Sequence, residues 1–264
     1  METIFSLAEQ CLNLSDPDAK CQKTKAISKL WLEGKLTLDD DSSPSPIAEP
    51  GRPASPELVS PRDLKQRKMG SKSGQAALIH SITHIEFNAI NLALDAIYRF
   101  RQMPEQYYTD WLKVACEEAY HFSLLRDHLR TLGHDYGDFP AHNGLWEMAQ
   151  QTAHDGMVRM ALVPRVLEAR GLDVTPGMIE RLKQQGDLQA VAILDIILHD
   201  EISHVEIGTR WFRYYCQQRK IDPENIFAEL IQQYMKGLIR GPFHYEAREQ
   251  AGFTKSEMQM LEKL

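Results

Sequence analysis

Six residues of this sequence have the types and spacing of a metal site built from carboxylates and imidazoles. Glu118 is followed three residues later by His121, and Glu201 by His204, so each pair projects from one helix face, one turn apart. A further glutamate precedes each pair, 32 residues upstream in the first copy and 33 in the second. The pattern Glu followed by Glu-x-x-His therefore occurs twice. The candidate ligands are Glu86, Glu118, His121, Glu168, Glu201 and His204.

These residues fall where the surrounding helices should be apolar. A carboxylate in a dry helical core is costly unless it is paired or bound to a cation, and four together would repel one another strongly. Four carboxylates and two imidazoles suit two transition ions, so the sequence predicts two iron ions, with manganese as the alternative. Zinc takes fewer ligands per ion and would not need this symmetry.

Other polar residues are expected to support or line the site. Glu117 and Asp200 each directly precede a candidate ligand and point about 100° away from it. We expect Asp200 to accept the second ring N–H of His121, and Glu117 that of His204, which would fix the imidazole tautomers. His84 and His128 are candidates for lining the site. No catalytic residue is assigned.

The elements that must position these residues are helices. Apolar residues recur at three- and four-residue steps from about 73 to 101, 105 to 132, 145 to 170 and 187 to 218. Alternation typical of strands is absent from the pattern. The sequence therefore predicts an all-α protein organised as an antiparallel four-helix bundle.

The third predicted helix places Glu168 awkwardly. Gly171 is expected to end this helix, and Thr175 and Pro176 to start a separate short one that extends to about residue 185. Glu168 would then lie about 16 Å out of level with Glu201, at 1.5 Å per residue. Pro164 is expected to kink the helix beside the site.

Composition divides the chain into four predicted parts. Residues 39–61 hold six of the thirteen prolines and cannot continue a helix. We therefore predict an N-terminal helical hairpin at 1–38, an extended linker or wrap at 39–70, the bundle at 71–220 and a C-terminal helical extension at 221–264. Within the hairpin, Pro17 is expected in the first turn of the second helix.

Charge and cysteine content narrow the class of protein. The 37 acidic against 30 basic residues give a formal charge of −7, which argues against binding of a nucleic acid backbone as the main task. No run of 18 apolar residues is present, and the N-terminus lacks the basic start of a secretory signal. The four cysteines show no C-x-x-C spacing. We expect a cytoplasmic protein that does not span a membrane.

In its two copies of Glu followed by Glu-x-x-His, the sequence resembles the ferritin-like superfamily of di-metal carboxylate bundles. More narrowly, it resembles a bacterial family within it that is known as a domain of unknown function, and the likeness covers most of the chain. The segments that carry it start at His84 (HIEFNAINLALDAIYRF), Pro164 (PRVLEARGLDVTPGM) and His199 (HDEISHVEIGTRWF), with PGRP from Pro50 and LVSPRDL from Leu58. The resemblance implies a ferritin-like bundle and a di-iron site at the six candidate ligands. A more distant likeness is to tRNA-modifying di-iron hydroxylases.

Three functions are compatible with this pattern. The first is an O₂-dependent di-iron oxidoreductase, a hydroxylase or oxidase, acting on an unknown small molecule; a tRNA substrate and a homo-oligomer are also compatible with the sequence. The second is metal handling or peroxide scavenging of ferritin or rubrerythrin type. The added terminal segments argue against a storage cage, and the missing C-x-x-C argues against rubrerythrin. The third is a helical scaffold with a structural metal.

Overall fold

The computed structural model describes residues 2–40, 42–64, 70–235, 237 and 239–263. Across these residues the regular structure is helical, and the only β-type pairing is two isolated bridges. The prediction of an all-α protein is thus confirmed. The chain divides into two compact units, one up to Gln150 and one from Gln151. The four-part division predicted from composition stays a prediction.

The first unit is built around two long helices. α3 (Lys72–Arg99) and α4 (Glu105–Thr131) pack against each other along their length. Two shorter helices, α1 (Ile4–Leu12) and α2 (Pro17–Leu32), pack on α3 and α4 respectively. α5 (Gly144–Gln151) follows at the end of this unit.

The start of α2 follows its sequence signal. Asp16 caps the helix by accepting a hydrogen bond from the backbone of Ala19, and Pro17 occupies the first turn. The prediction for Pro17 is confirmed.

An extended segment follows this hairpin. Apart from a single 3₁₀ turn at Pro61–Asp63, its described residues form no helix, as the prolines predict. Gly51 passes so close to Asn13 and Leu14 that a Cβ atom would overlap their backbone atoms. Residues 41 and 65–69 of the predicted wrap lie outside the described residues.

The second unit is organised around one long helix. α8 (Leu188–Arg219) packs against α6 (Gly156–Leu162), a π-helical segment (Val163–Glu168) and α7 (Ala169–Gln184). Three shorter helices complete the unit, namely α9 (Pro223–Tyr234), α10 (Tyr245–Gln250) and α11 (Lys255–Glu262).

The third predicted helix differs from the observed one. It is interrupted between α5 and α6, where Asp155 caps α6. It then continues past Gly171, and Pro176 lies inside α7, so the predicted stop at Gly171 and the cap at Thr175 were wrong. Gly171 does not adopt the positive φ that ends helices, and Pro176 removes one backbone donor, a loss that packing on α8 can offset.

Among the described residues, no helix combines the length and the apolar character needed to cross a membrane.

Candidate metal centre

The antiparallel α3 and α4 bring one copy of the motif to a common level. Glu86 lies 13 residues before the end of α3 at Arg99, and Glu118 lies 13 residues after the start of α4 at Glu105. Equal distances from the connecting turn place both carboxylates at the same height. The turn is short because Pro104 stands directly before α4.

In the first unit, three predicted ligands form one buried cluster. Nδ1 of His121 lies 3.2 Å from Oε2 of Glu86 and 3.6 Å from Oε2 of Glu118. The donor atoms of the three residues lie within 4.8 Å of one another, and none of the side chains is more than 3% exposed. Two carboxylates and an imidazole this close and this dry make a cluster that could hold a metal ion.

Two of the buried groups of this cluster have shifted pKa values. Burial and the charge of Glu118 raise the pKa of Glu86 well above its usual range. Burial disfavours the imidazolium of His121, but hydrogen bonding and charge from Glu118 and Glu86 outweigh it and raise the pKa of His121 to about 11. A metal ion binding here would therefore take the place of protons.

The second unit carries the other Glu-x-x-His pair on α8. Nδ1 of His204 lies 3.8 Å from Oε1 of Glu201, and the side chains are 0% and 12% exposed. Glu168 is the last residue of the π-helical segment and is half-buried. Because α7 continues to Gln184, Glu168 lies 16 residues before that end, and Glu201 lies 13 residues after the start of α8. The difference is about 4.5 Å at 1.5 Å per residue, which removes most of the mismatch expected from sequence.

Pro164, where a kink is expected from the sequence, lies in the π-helical segment. A π segment widens the helix by an extra residue per turn and is frequent at functional sites. Its partner on α8 is Gly208, where a Cβ atom would overlap the ring of Pro164. Pro164 indicates from the sequence that the helix is distorted at this point. The sequence does not indicate that the distortion is a π-helical segment. The segment ends at Glu168, so its geometry determines the backbone position from which the Glu168 side chain extends.

The predicted supporting residues have the following surroundings. Glu117 accepts a hydrogen bond from Lys113 on its own helix at 2.7 Å, and Asp200 is half-buried on α8. His84 contacts the hydroxyl of Tyr136 through Nδ1 and the carbonyl of His142 through Nε2. His128 is buried near the end of α4. The expected hydrogen bonds from the ring N–H groups of His121 and His204 to Asp200 and Glu117, and the lining roles of His84 and His128, stay predictions.

Sequence reasoning missed a buried lysine in the first unit. Nζ of Lys20 donates to the carbonyls of Leu12 and Gly51 at 3.1 and 2.7 Å and to the side chain of Asn91. Burial lowers the pKa of Lys20 to about 7. Its three acceptors come from α1, the extended segment and α3, so no local pattern marks this position.

The comparisons with known proteins define the family. Residues 13–259 match the family described as "Protein of unknown function (DUF455)", and the chain belongs to that family. It is also similar to a protein of Haemophilus influenzae described as "Uncharacterized protein", at 45% identity over 96% of this chain and 91% of the relative. No solved structure matches the chain.

Proposed function

We propose that this chain is a ferritin-like di-iron protein and an O₂-dependent oxidoreductase, a hydroxylase or oxidase of a small molecule. In this proposal the two motif copies complete one centre within a four-helix bundle, with Glu86, Glu118, His121, Glu168, Glu201 and His204 as ligands. The observation that carries the proposal is the buried cluster of Glu86, Glu118 and His121 in the first unit.

The donor set of this cluster fits iron or manganese. Oxygen and imidazole donors suit both metals, whereas thiolates would favour softer ions. Burial and, after it, the charge of Glu118 raise the pKa of Glu86, and a divalent cation would offset both effects on the carboxylate. The Glu-x-x-His pair of the second unit, with His204 fully buried, offers the same donor types on α8.

The chain's own residues would hold the metals and keep water away. A bound iron pair would supply the reduction of O₂ and the oxidation of the substrate. None of the side chains of Glu86, Glu118 and His121 is more than 3% exposed, so bulk water has little access to this cluster. Exclusion of water strengthens charge interactions and limits side reactions.

Anaerobic loading with Fe(II), followed by metal counting, tests the proposal. We expect two ions per wild-type chain, and a loss of at least one ion in Glu118→Gln and in Glu201→Gln. Glutamine keeps the size of the buried side chain but loses its charge. The matched control is Glu206→Gln, because Glu206 lies on α8 near Glu201 but is 43% exposed and pairs with Arg210. This variant should bind two ions.

The outcomes separate the candidate functions. Fewer than about one ion per wild-type chain, or full binding in both ligand variants, would contradict the metal centre. Exposure of the Fe(II) protein to O₂ then tests the activity. Repeated O₂ consumption in the presence of a reductant supports an oxidoreductase, whereas a single stoichiometric oxidation with no further turnover contradicts it and favours metal handling.

A further inference from the structure

The second unit contains a small cavity lined mainly by arginines and apolar side chains. Its volume is about 120 Å³, and it lies between the π-helical segment, the start of α7 and the segment that precedes α10. Apolar walls come from Met235, Phe243 and Leu261. None of the six candidate metal ligands lines it.

Positive charge exceeds negative charge around this cavity. Four guanidinium groups line it, and two carboxylates pair with them. Arg248 makes a two-pronged contact with Asp173, at 2.9 and 2.7 Å, and Arg165 donates to Glu257 at 2.6 Å. The charges that remain are those of Arg170 and Arg240.

Neither of these two arginines is neutralised by a carboxylate of its own. Nη1 of Arg170 donates to the carbonyls of Arg240 and Pro242, at 2.9 and 3.2 Å, and lies 3.7 Å from Asp173, which is already bound to Arg248. Arg240 is exposed, and its guanidinium has no ion-pair partner in the described part of the chain. Both keep donors for a ligand.

Arg165 is the most deeply buried of the four arginines that line the cavity. Its side chain is fully buried, and its guanidinium lies 4.0 Å from the ring centroid of Phe227 and 4.7 Å from that of Phe253. Nε donates to Thr209 and Nη2 to Glu257, but Nη1 is buried with no hydrogen-bond partner among the described residues. A buried guanidinium N–H without an acceptor costs about 1–3 kcal/mol or more.

We propose that this cavity binds a phosphate group, free or at the end of a small organic molecule. A phosphate carries close to two negative charges and several acceptor oxygens, which matches the excess of two arginine charges at the cavity. Arginine forks suit this geometry better than lysine would. The apolar walls suit the organic part of a phosphate monoester.

Calorimetric titration of the full chain with inorganic phosphate tests the proposal at low ionic strength. We expect saturable binding of one phosphate per chain, weakened about tenfold or more in Arg240→Gln and in Arg170→Gln, since each removes a charged donor. The matched control is Arg181→Gln, because Arg181 is exposed on α7 and away from the cavity. It should change the dissociation constant less than twofold.

Two further titrations test whether the binding is specific to this cavity and which form of phosphate it takes. Glu118→Gln should bind phosphate as the wild type does, which separates this site from the metal centre. Phenyl phosphate should bind at least as tightly as inorganic phosphate if the apolar walls hold an organic part, and more weakly if the site takes free phosphate. Absence of saturable heat with both probes, or an equal loss in Arg181→Gln, would overturn the proposal. Because all three arginine variants keep Arg165 and Glu257, the buried pair that stabilises the fold stays intact.

Discussion

At the scale of single residues, Glu118 is one of the two carboxylates of the buried cluster in the first unit. It lies 3.6 Å from His121, and its charge contributes to the raised pKa of Glu86. Replacement of this carboxylate therefore affects both neighbours at once. We expect the effect of Glu118→Gln on metal binding to exceed that of Glu117→Gln, because Glu117 is 27% exposed and paired with Lys113. Metal counting on the two variants makes this comparison.

His80 should make the stability of the protein depend on pH. Burial lowers the pKa of His80 to about 4, and its neutral Nε2 accepts a hydrogen bond from the backbone of Gly137 at 2.9 Å. The unfolded chain takes up the proton first as pH falls, near 6.5, so stability present above pH 6.5 is lost towards pH 4. In His80→Gln we expect the slope of unfolding free energy in this window to fall by about 1.4 kcal/mol per pH unit.

Urea unfolding between pH 4 and 7 measures this slope. The exposed His154 offers the matched control, since His154→Gln should keep the wild-type slope. An unchanged slope in His80→Gln would show that the folded state does not exclude the proton from this ring.

At the scale of helices, the contact between the π-helical segment and α8 depends on Gly208. A methyl group at this position would overlap the rigid ring of Pro164. We expect Gly208→Ala to lower the unfolding free energy by roughly 1–3 kcal/mol, as overpacking does. Gly171→Ala is the matched control, because its added methyl has no atom within 4 Å and lies in a helix, and it should stabilise by about 0.5–1 kcal/mol. Equal effects of the two variants in urea unfolding would contradict a tight contact.

Lys20 joins three elements of the first unit, and its loss should be costly. In Lys20→Met, the carbonyls of Leu12 and Gly51 and the side chain of Asn91 lose a shared buried donor. We expect a loss of roughly 2–4 kcal/mol in unfolding free energy. Lys29→Met on the same helix should change it by less than about 0.5 kcal/mol, because Lys29 is 76% exposed. A loss below about 1 kcal/mol in Lys20→Met would mean that water replaces the donor.

Helix boundaries were predicted correctly where one sequence signal dominated. The prediction was wrong where two sequence signals competed. α3, α4 and α8 were predicted to within two residues, because their apolar periodicity is long and Pro104 and Asp187 mark clear starts. At Gly171 and Pro176, local turn signals pointed to a break, but the apolar face of α7 packs on α8 and the helix continues. Tertiary packing of this kind has no local signature.

The candidate site, too, could be predicted from the sequence only in part. Glu86, Glu118 and His121 were predicted to meet, and they do, because equal spacing from one turn determines their level. The π-helical segment and the partners of Lys20 and Arg165 were not foreseen. These features depend on side chains from elements distant in sequence, such as Glu257 for Arg165.

At the scale of the whole molecule, metal should stabilise the fold through both motif copies. A ligand present at 100 times its dissociation constant adds about 2.7 kcal/mol. We expect Fe(II) under anaerobic conditions to raise the thermal unfolding midpoint of the wild type, and a chelator to reverse the shift. If the two copies form one centre, the loss in the double variant Glu118→Gln/Glu201→Gln should be smaller than the sum of the single losses. Strictly additive losses would mean two independent sites.

The division of the chain at Gln150 also affects how the protein is made. The cluster of Glu86, Glu118 and His121 lies on α3 and α4, and both helices belong to the first unit. Ribosomes add about 5–20 residues per second, and domains generally fold from the N-terminal side as they emerge. The 114 residues from 151 to 264 therefore take about 6–23 s to follow. During that interval the nascent chain presents Glu86, Glu118 and His121 before the other three candidate ligands have been synthesised.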